Sequence, residues 1–230
     1  IRFACFSFHD DYKAFETILN DYDWDMCQIQ YNFMDINNQA GTKGLELAGS
    51  KGIPVVVMEG LLGGRLAKAP DNVQALYDAF PVKRSPVEWA FRWLCNHPQV
   101  ATVLSGLTSV EQVKDNLRIF DTVEPDCMSK EELELIDKVR DAYNSRIKAG
   151  CTGCAYCIPC PMGVDIPGSF SAWNNASLYG GLGKGNADYK RLEEEGKAPT
   201  QCVECGACMQ VCPQHLEIPE LLKKVTADVK

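Results

Sequence analysis

No stretch of this chain is apolar for long enough to cross a bilayer. Nothing in it has the charged, apolar and small-residue succession of a secretory signal. Positive charge is in deficit. Twenty-three Lys and Arg stand against 31 Asp and Glu, a net charge of −8, which argues against nucleic acid as the main partner. No Gly-x-Gly-x-x-Gly follows the first expected strand, so the usual dinucleotide fingerprint of an open doubly wound sheet is missing. The chain begins at Ile1 rather than a methionine and reads as a piece of something longer. Its 230 residues allow a medium domain, alone or with a small one. Hydrophobic residues at 46% and charged residues at 23% are ordinary for a soluble globular protein.

Cysteine is not scarce. Eight of the twelve lie in two runs. The first is Cys151-Thr-Gly-Cys154-Ala-Tyr-Cys157-Ile-Pro-Cys160-Pro161, the second Cys202-Val-Glu-Cys205-Gly-Ala-Cys208-Met-Gln-Val-Cys212-Pro213. The second has the C-x2-C-x2-C-x3-C-P spacing of bacterial ferredoxins, and the first is one residue shorter before its last cysteine. A cubane cluster needs four thiolates. Three come from one tight turn, and in two-cluster ferredoxins the fourth comes from the other run. The expected ligand sets are Cys151, Cys154, Cys157 and Cys212 for one [4Fe-4S] cluster, and Cys202, Cys205, Cys208 and Cys160 for the other. An internal repeat supports this. Cys160-Pro-Met-Gly-Val-Asp-Ile-Pro167 and Cys212-Pro-Gln-His-Leu-Glu-Ile-Pro219 are one pattern used twice. Structural zinc is the competing reading of Cys-x-x-Cys pairs. A disulfide framework suits a secreted chain, whereas cluster thiolates suit a reducing cytoplasm, the expected location. Tyr156, Ile158, Val203 and Val211 are expected to shield the clusters, with Ile166 and Ile218 beneath them. Cys5, Cys27 and Cys95 read as small core residues and Cys127 as a surface one.

Before these runs, residues 1 to 120 read as four strand–helix units. Ile1–Phe8 reads as a buried strand, with a helix behind Asp10 and Asp11 that turns Tyr12, Phe15, Ile18 and Leu19 inward. Further strands are expected at Met26–Tyr31, Ile53–Met58 and Val100–Ser105, the third nearly all β-branched, as in a parallel strand buried on both faces. Gly41–Ser50 reads as a helix ended by Gly52, and 66–84 as a loop with some helix. Ser85-Pro-Val-Glu88, Ser109-Val-Glu-Gln112 and Ser129-Lys-Glu-Glu132 read as capping boxes opening three helices. Such alternation implies a parallel sheet with right-handed crossovers, either open or half of an eight-stranded barrel. His9 reads as a rim histidine, His97 as a helix C-terminal cap, and His215 as a potential donor to a cluster sulfur. Gly180–Gly185 reads as a flexible loop, since it lacks the Lys-Ser/Thr ending of a phosphate loop.

Four segments resemble the aldo-keto reductase family: Phe6-Ser-Phe-His9, Gln28-Ile-Gln-Tyr-Asn32, Met58-Glu-Gly-Leu-Leu-Gly-Gly-Arg-Leu66 and Ser105-Gly-Leu-Thr-Ser-Val-Glu-Gln-Val-Lys-Asp-Asn116. With the cysteine-rich tail, the whole resembles the iron-sulfur branch of that family. The resemblance implies an α/β fold, the C-terminal half of a TIM-type (β/α)8 barrel over residues 1–125. A connecting helix at 126–150 and an α-helical dicluster ferredoxin-like domain at 151–230 would follow. It implies a nicotinamide cofactor, NAD or NADP, across the C-terminal rim. Gln28 would face the carboxamide. Met58, Glu59 and Leu61 would line the ring and ribose. Gly63, Gly64 and Arg65 would lie at the pyrophosphate. Gly106, Thr108, Ser109, Gln112 and Asn116 would hold the adenosine end. Gly106 and Gln112 stand where members that bind the 2′-phosphate carry basic residues, and Gly60 stands where the family has proline. The family's catalytic Asp, Tyr, Lys and His belong to the other half-barrel, so no catalytic residue is assigned. The resemblance thus implies an oxidoreductase with a small-molecule substrate in the full-length protein and a redox partner protein. The alternatives are an electron carrier with a non-catalytic scaffold and a metal-stapled structural domain.

Overall fold

The computed structural model describes residues 1–183 and 186–229. Two residues of the expected glycine-rich loop, Lys184 and Gly185, lie outside them. The chain divides into two compact units, Ile1–Arg140 and Asp141–Lys230. The first unit is built on a four-stranded parallel sheet in the order β1-β2-β3-β4. Its strands are β1 (Cys5–Ser7), β2 (Met26–Gln30), β3 (Val55–Met58) and β4 (Val100–Val103). The helices between and after them are α1 (Tyr12–Asp21), α2 (Gly41–Ser50), α3 (Asp71–Ala79), α4 (Pro86–Cys95), α5 (Val110–Phe120) and α6 (Lys130–Asn144). Sequential strand order with a helical crossover at each step is the geometry that alternating units demand.

Burial falls on one face of this sheet. In β3, Val55 and Val57 are buried while Val56 and Met58 are half-buried. The β-branched run is therefore not sealed on both sides as expected. Successive side chains point to opposite faces, and the helices cover only one of them. The expectation for Ile1–Phe8 also needs correction. Only Cys5–Ser7 pairs, and Ile1 and Phe3 are exposed. β1 has a hydrogen-bonded neighbour on one side alone, so its outer flank finds no apolar cover. β4 is likewise an edge, with Ala101 and Thr102 exposed and an irregular register opposite Val55 and Val56.

The caps behave individually. Gly52 takes φ +69° and donates its N–H to Gly49 O at 3.0 Å, closing α2 as its left-handed geometry allows. Ser109 accepts from Gln112 N, and the Gln112 amide oxygen returns to the Ser109 N–H, a complete capping box. Ser129 and Glu132 exchange the same two bonds. At α4 only half the box forms. Ser85 Oγ accepts from Glu88 N, but the buried Glu88 carboxylate turns to Arg92 at 2.9 Å and Arg118 at 2.8 Å. Two guanidiniums outcompete one backbone N–H because a charged acceptor binds charged donors more strongly.

The second unit packs α7 (Ile166–Tyr179), α8 (Ala187–Glu194), the short α9 (Ala207–Gln210) and α10 (Ile218–Val229) around its own core. Phe170, Trp173, Tyr189, Leu222 and Val225 are buried at its centre. α7 and α10 both begin on an Ile-Pro pair, where proline's fixed φ and missing N–H suit a first helical turn. Among the described residues no helix is long and apolar enough to span a membrane.

Candidate metal centres and a rim cavity

The two cysteine runs fold as one unit used twice. Gly153 and Glu204, each two residues past the first cysteine of its run, take φ +72° and +58°. Their N–H groups point back at that cysteine's sulfur, at 3.5 Å to Cys151 Sγ and 3.4 Å to Cys202 Sγ. Ala155 and Gly206, each one past the second cysteine, take φ +61° and +75°. Gly163 and His215, three past the last cysteine, repeat the match at +74° and +50°, and their N–H groups bond to Cys160 O at 2.9 Å and Cys212 O at 3.1 Å. Left-handed residues at these points curl the backbone so that three thiols turn to one side. The sequence repeat is thus a backbone repeat.

The fold segregates the eight thiols. Cys151, Cys154, Cys157 and Cys212 line one narrow cavity of about 20 Å³. Cys160, Cys202, Cys205 and Cys208 line another of about 240 Å³, with Cys157 also on its wall. Ile166 lies on the wall of both and Ile218 on that of the first. No charged side chain lines either. Burial pushes the Cys157 and Cys208 thiols up from the usual thiol range, and their thiol neighbours add to it. For Cys208 these are Cys202, Cys160 and Cys205. Among the described residues, no three or more His, Cys, Asp or Glu converge as a single ion would require. The donors that line the two cavities are all sulfur, four or more around each, and the walls are apolar. That chemistry fits a cubane cluster better than zinc.

A third cavity, of about 350 Å³, opens at the C-terminal ends of the strands in the first unit. Glu59, Gly60, Leu61, Gly63, Gly64, Phe91, Leu104, Ser105 and Gly106 line it. Five residues expected at a nicotinamide site meet here: Glu59, Leu61, Gly63, Gly64 and Gly106. Gln28 and Met58 pair with each other, with Gln28 Nε2 at 3.3 Å from Met58 Sδ and 3.2 Å from Ser7 Oγ. Thr108, Ser109 and Gln112 are engaged in the α5 cap. Asn116 donates to Ser105 Oγ at 3.0 Å, which ties it to the cavity wall at one remove. Arg65 starts a 3-10 turn, Arg65–Ala67, and is not among the lining residues.

Sequence reasoning missed Phe91, Leu104 and Ser105 as wall residues, because a helix residue such as Phe91 reads only as core. It also missed what shapes the loop after β3. Asn32 is fully buried. It donates to Glu59 O at 3.1 Å and accepts from the N–H groups of Met34 and Asp35 at 3.0 Å. That clamp holds Glu59 at φ +58°. Gly60 is closely packed: a Cβ there would stand 2.7 Å from Leu94 Cδ1 and 3.3 Å from Val103 Cγ1, so a larger residue would need Leu94 to shift. The two other weighed histidines resolve simply. His9 is exposed, and His97 is half-buried with Nδ1 2.9 Å from Trp93 O at the end of α4.

Comparison with known proteins agrees with this division. The family model described as Aldo/keto reductase family matches residues 1–141, and that of the 4Fe-4S dicluster domain matches residues 150–216. The solved aldo-keto reductase AKR11C1 from Bacillus halodurans, holo form, is 24% identical with a TM-score of 0.50, over 60% of this chain and 50% of that one. Its apo form gives 23% identity and a TM-score of 0.47, over 58% and 49%. The present chain thus spans about half the length of these structures. A search of curated proteins returned no match. With more than half its length matched and a dicluster-type domain behind it, the chain belongs to the aldo/keto reductase family, as an iron–sulfur member.

Proposed function

We propose that this chain is part of an iron–sulfur oxidoreductase that couples nicotinamide redox chemistry to electron transfer through two [4Fe-4S] clusters. The observation that supports the reading is the gathering of eight thiols around two cavities, Cys157 on the wall of both, with the last cysteine of each run lining the cavity of the other run's first three. Cys151, Cys154, Cys157 and Cys212 would hold one cluster, and Cys160, Cys202, Cys205 and Cys208 the other. Bound clusters supply one-electron storage at potentials set by charge, hydrogen bonds and solvent. What the chain supplies is their environment. The backbone N–H groups of Gly153 and Glu204 offset negative charge on Cys151 and Cys202, and the apolar walls limit water.

The rim cavity would take the nicotinamide cofactor. Its volume is that of an ordinary ligand site. Gly63 and Gly64, at φ +62° and +84°, present backbone without side chains. The lining includes the Glu59 carboxylate and no Lys or Arg. Gly106 and Gln112, at the expected adenosine end, offer no cation to a 2′-phosphate, so NAD is preferred to NADP. The bound cofactor exchanges a hydride, two electrons, which matches two one-electron centres. The hydride-transfer residues are expected outside this chain.

Anaerobic titration of the oxidised, iron-loaded full-length protein with NADH and NADPH tests the coupling. NADH should bleach the cluster absorbance within the turnover time, ahead of NADPH. Clusters that bleach with dithionite but never with either nicotinamide would leave an electron carrier on a non-catalytic scaffold.

A further inference from the structure

The two halves of the thiol unit share a backbone but not their charge. Glu204 stands where the repeat has Gly153, Glu220 where it has Gly168, and Lys223 where it has Ser171. The three charged residues form one group. Lys223 Nζ donates to Glu204 Oε2 at 2.7 Å and to Glu220 Oε1 at 2.9 Å. None of them lines either cavity. Glu220 is an expected neighbour of Lys223, three residues before it on α10. Glu204 is not. It lies 19 residues away, and the bond ties the first turn of the second cysteine run to α10. That helix is anchored by buried Ile218, Leu222 and Val225.

Glu204 has a reason to be tied. Its φ of +58° lies in the left-handed region, where a Cβ is unfavourable. In that conformation its N–H points at Cys202 Sγ, at 3.4 Å. Gly153 makes the same bond to Cys151 Sγ at 3.5 Å with φ +72°, and a glycine holds that turn without support. We propose that Lys223 is a positioning residue for the Cys160/Cys202/Cys205/Cys208 site: its grip on the Glu204 carboxylate keeps the Glu204 N–H on the Cys202 sulfur and so holds up the reduction potential of that site alone. This rests on reading the cavities as cluster sites. Reduction adds one negative charge, so an N–H aimed at a ligand sulfur favours the reduced form. The two side chains of the ion pair are 51 and 52% exposed, so the grip is weak and its effect on the potential modest.

The test is an anaerobic redox titration of the full-length, iron-loaded protein, followed by the low-temperature electron paramagnetic resonance of its reduced clusters. Lys223→Met should lower one midpoint and leave the other in place. At a fixed ambient potential the reduced-to-oxidised ratio of the affected cluster should fall about threefold, or about 30 mV for one electron. Removing a positive charge would lower the potential by itself, so a second variant separates charge from grip. Glu204→Gly installs the repeat's own residue, and glycine takes the left-handed turn unaided. In the Glu204→Gly background, Lys223→Met should change the ratio by less than about 1.5-fold. An equal fall in both backgrounds makes Lys223 a charge only and overturns the proposal. So does an unchanged midpoint in Lys223→Met, or a shift of both midpoints. Should Lys223→Met assemble only about four irons, the double variant decides: a return to about eight supports the grip, and a continued loss overturns it. If the parent holds reducible iron, these results bear on Lys223 alone. A parent without reducible iron removes the cluster reading and this proposal with it.

Discussion

Ala155 is held at φ +61° where its repeat partner is Gly206. A Cβ in the left-handed region costs about 1 kcal/mol relative to glycine, so Ala155→Gly should raise the denaturation midpoint of the protein without changing its iron content. Asn32 carries the opposite sign. Its clamp on Glu59 O and on two N–H groups is buried, and Asn32→Ala should cost about 2 kcal/mol and loosen the rim cavity. Both effects are read by chemical denaturation. His97 gives a pH dependence. Burial holds its pKa below the usual histidine range, against the pull of the Trp93 and Leu94 carbonyls, Asp126 and Glu46. A depressed folded value means the neutral form is preferred on folding. Its contribution is full above about pH 6.5 and is lost as pH falls towards the folded value. His97→Gln should flatten that part of the stability–pH curve. The cysteine spacing was legible at this scale because thiolates at fixed intervals have few competing uses. Asn32 was not, since an amide just past the end of a strand carries no such signature until Glu59, 27 residues away, is in place.

At the scale of elements, capping chemistry wrote the starts of α5 and α6 into the sequence, and the same signal misread half of α4. Glu88 shows why. Burial would raise its pKa, but hydrogen bonds from Arg118 and Arg92 and their charges more than offset this, and the carboxyl lies below the usual range. Arg118 is 30 residues away, beyond any local motif. Removing the charge with Glu88→Gln should cost about 3 kcal/mol above pH 5 and progressively less in acid, where the parent carboxylate also protonates. The sheet was legible as four parallel strands from alternation alone. The exposure of its edges was not, because a strand's composition does not say how many neighbours it has. Cys27, Ile29, Val55 and Val57 in the central strands are essentially inaccessible, whereas β1 and β4 each lie at an edge. Amide hydrogen exchange should therefore be slowest across Cys27–Gln30 and Val55–Met58 and fastest across Cys5–Ser7.

For the whole molecule, the sequence separates an aldo/keto reductase-type unit from a cysteine-rich unit, and the two family matches fall on either side of the same division. In the second unit each run lines one cavity with its first three thiols and the other cavity with its fourth, and Cys157 stands on both walls. Replacing Cys212 by serine should then disturb the site of the first run, and Cys160→Ser that of the second, the reverse of what chain position suggests. The central claim is that both cavities hold [4Fe-4S] clusters. Iron, acid-labile sulfide and zinc, determined anaerobically on one sample together with its visible spectrum, test it most directly. The account predicts about eight irons and as many sulfides per chain, with absorbance bleached by dithionite. A colourless protein with one or two zincs would contradict it and leave the tail as a structural staple.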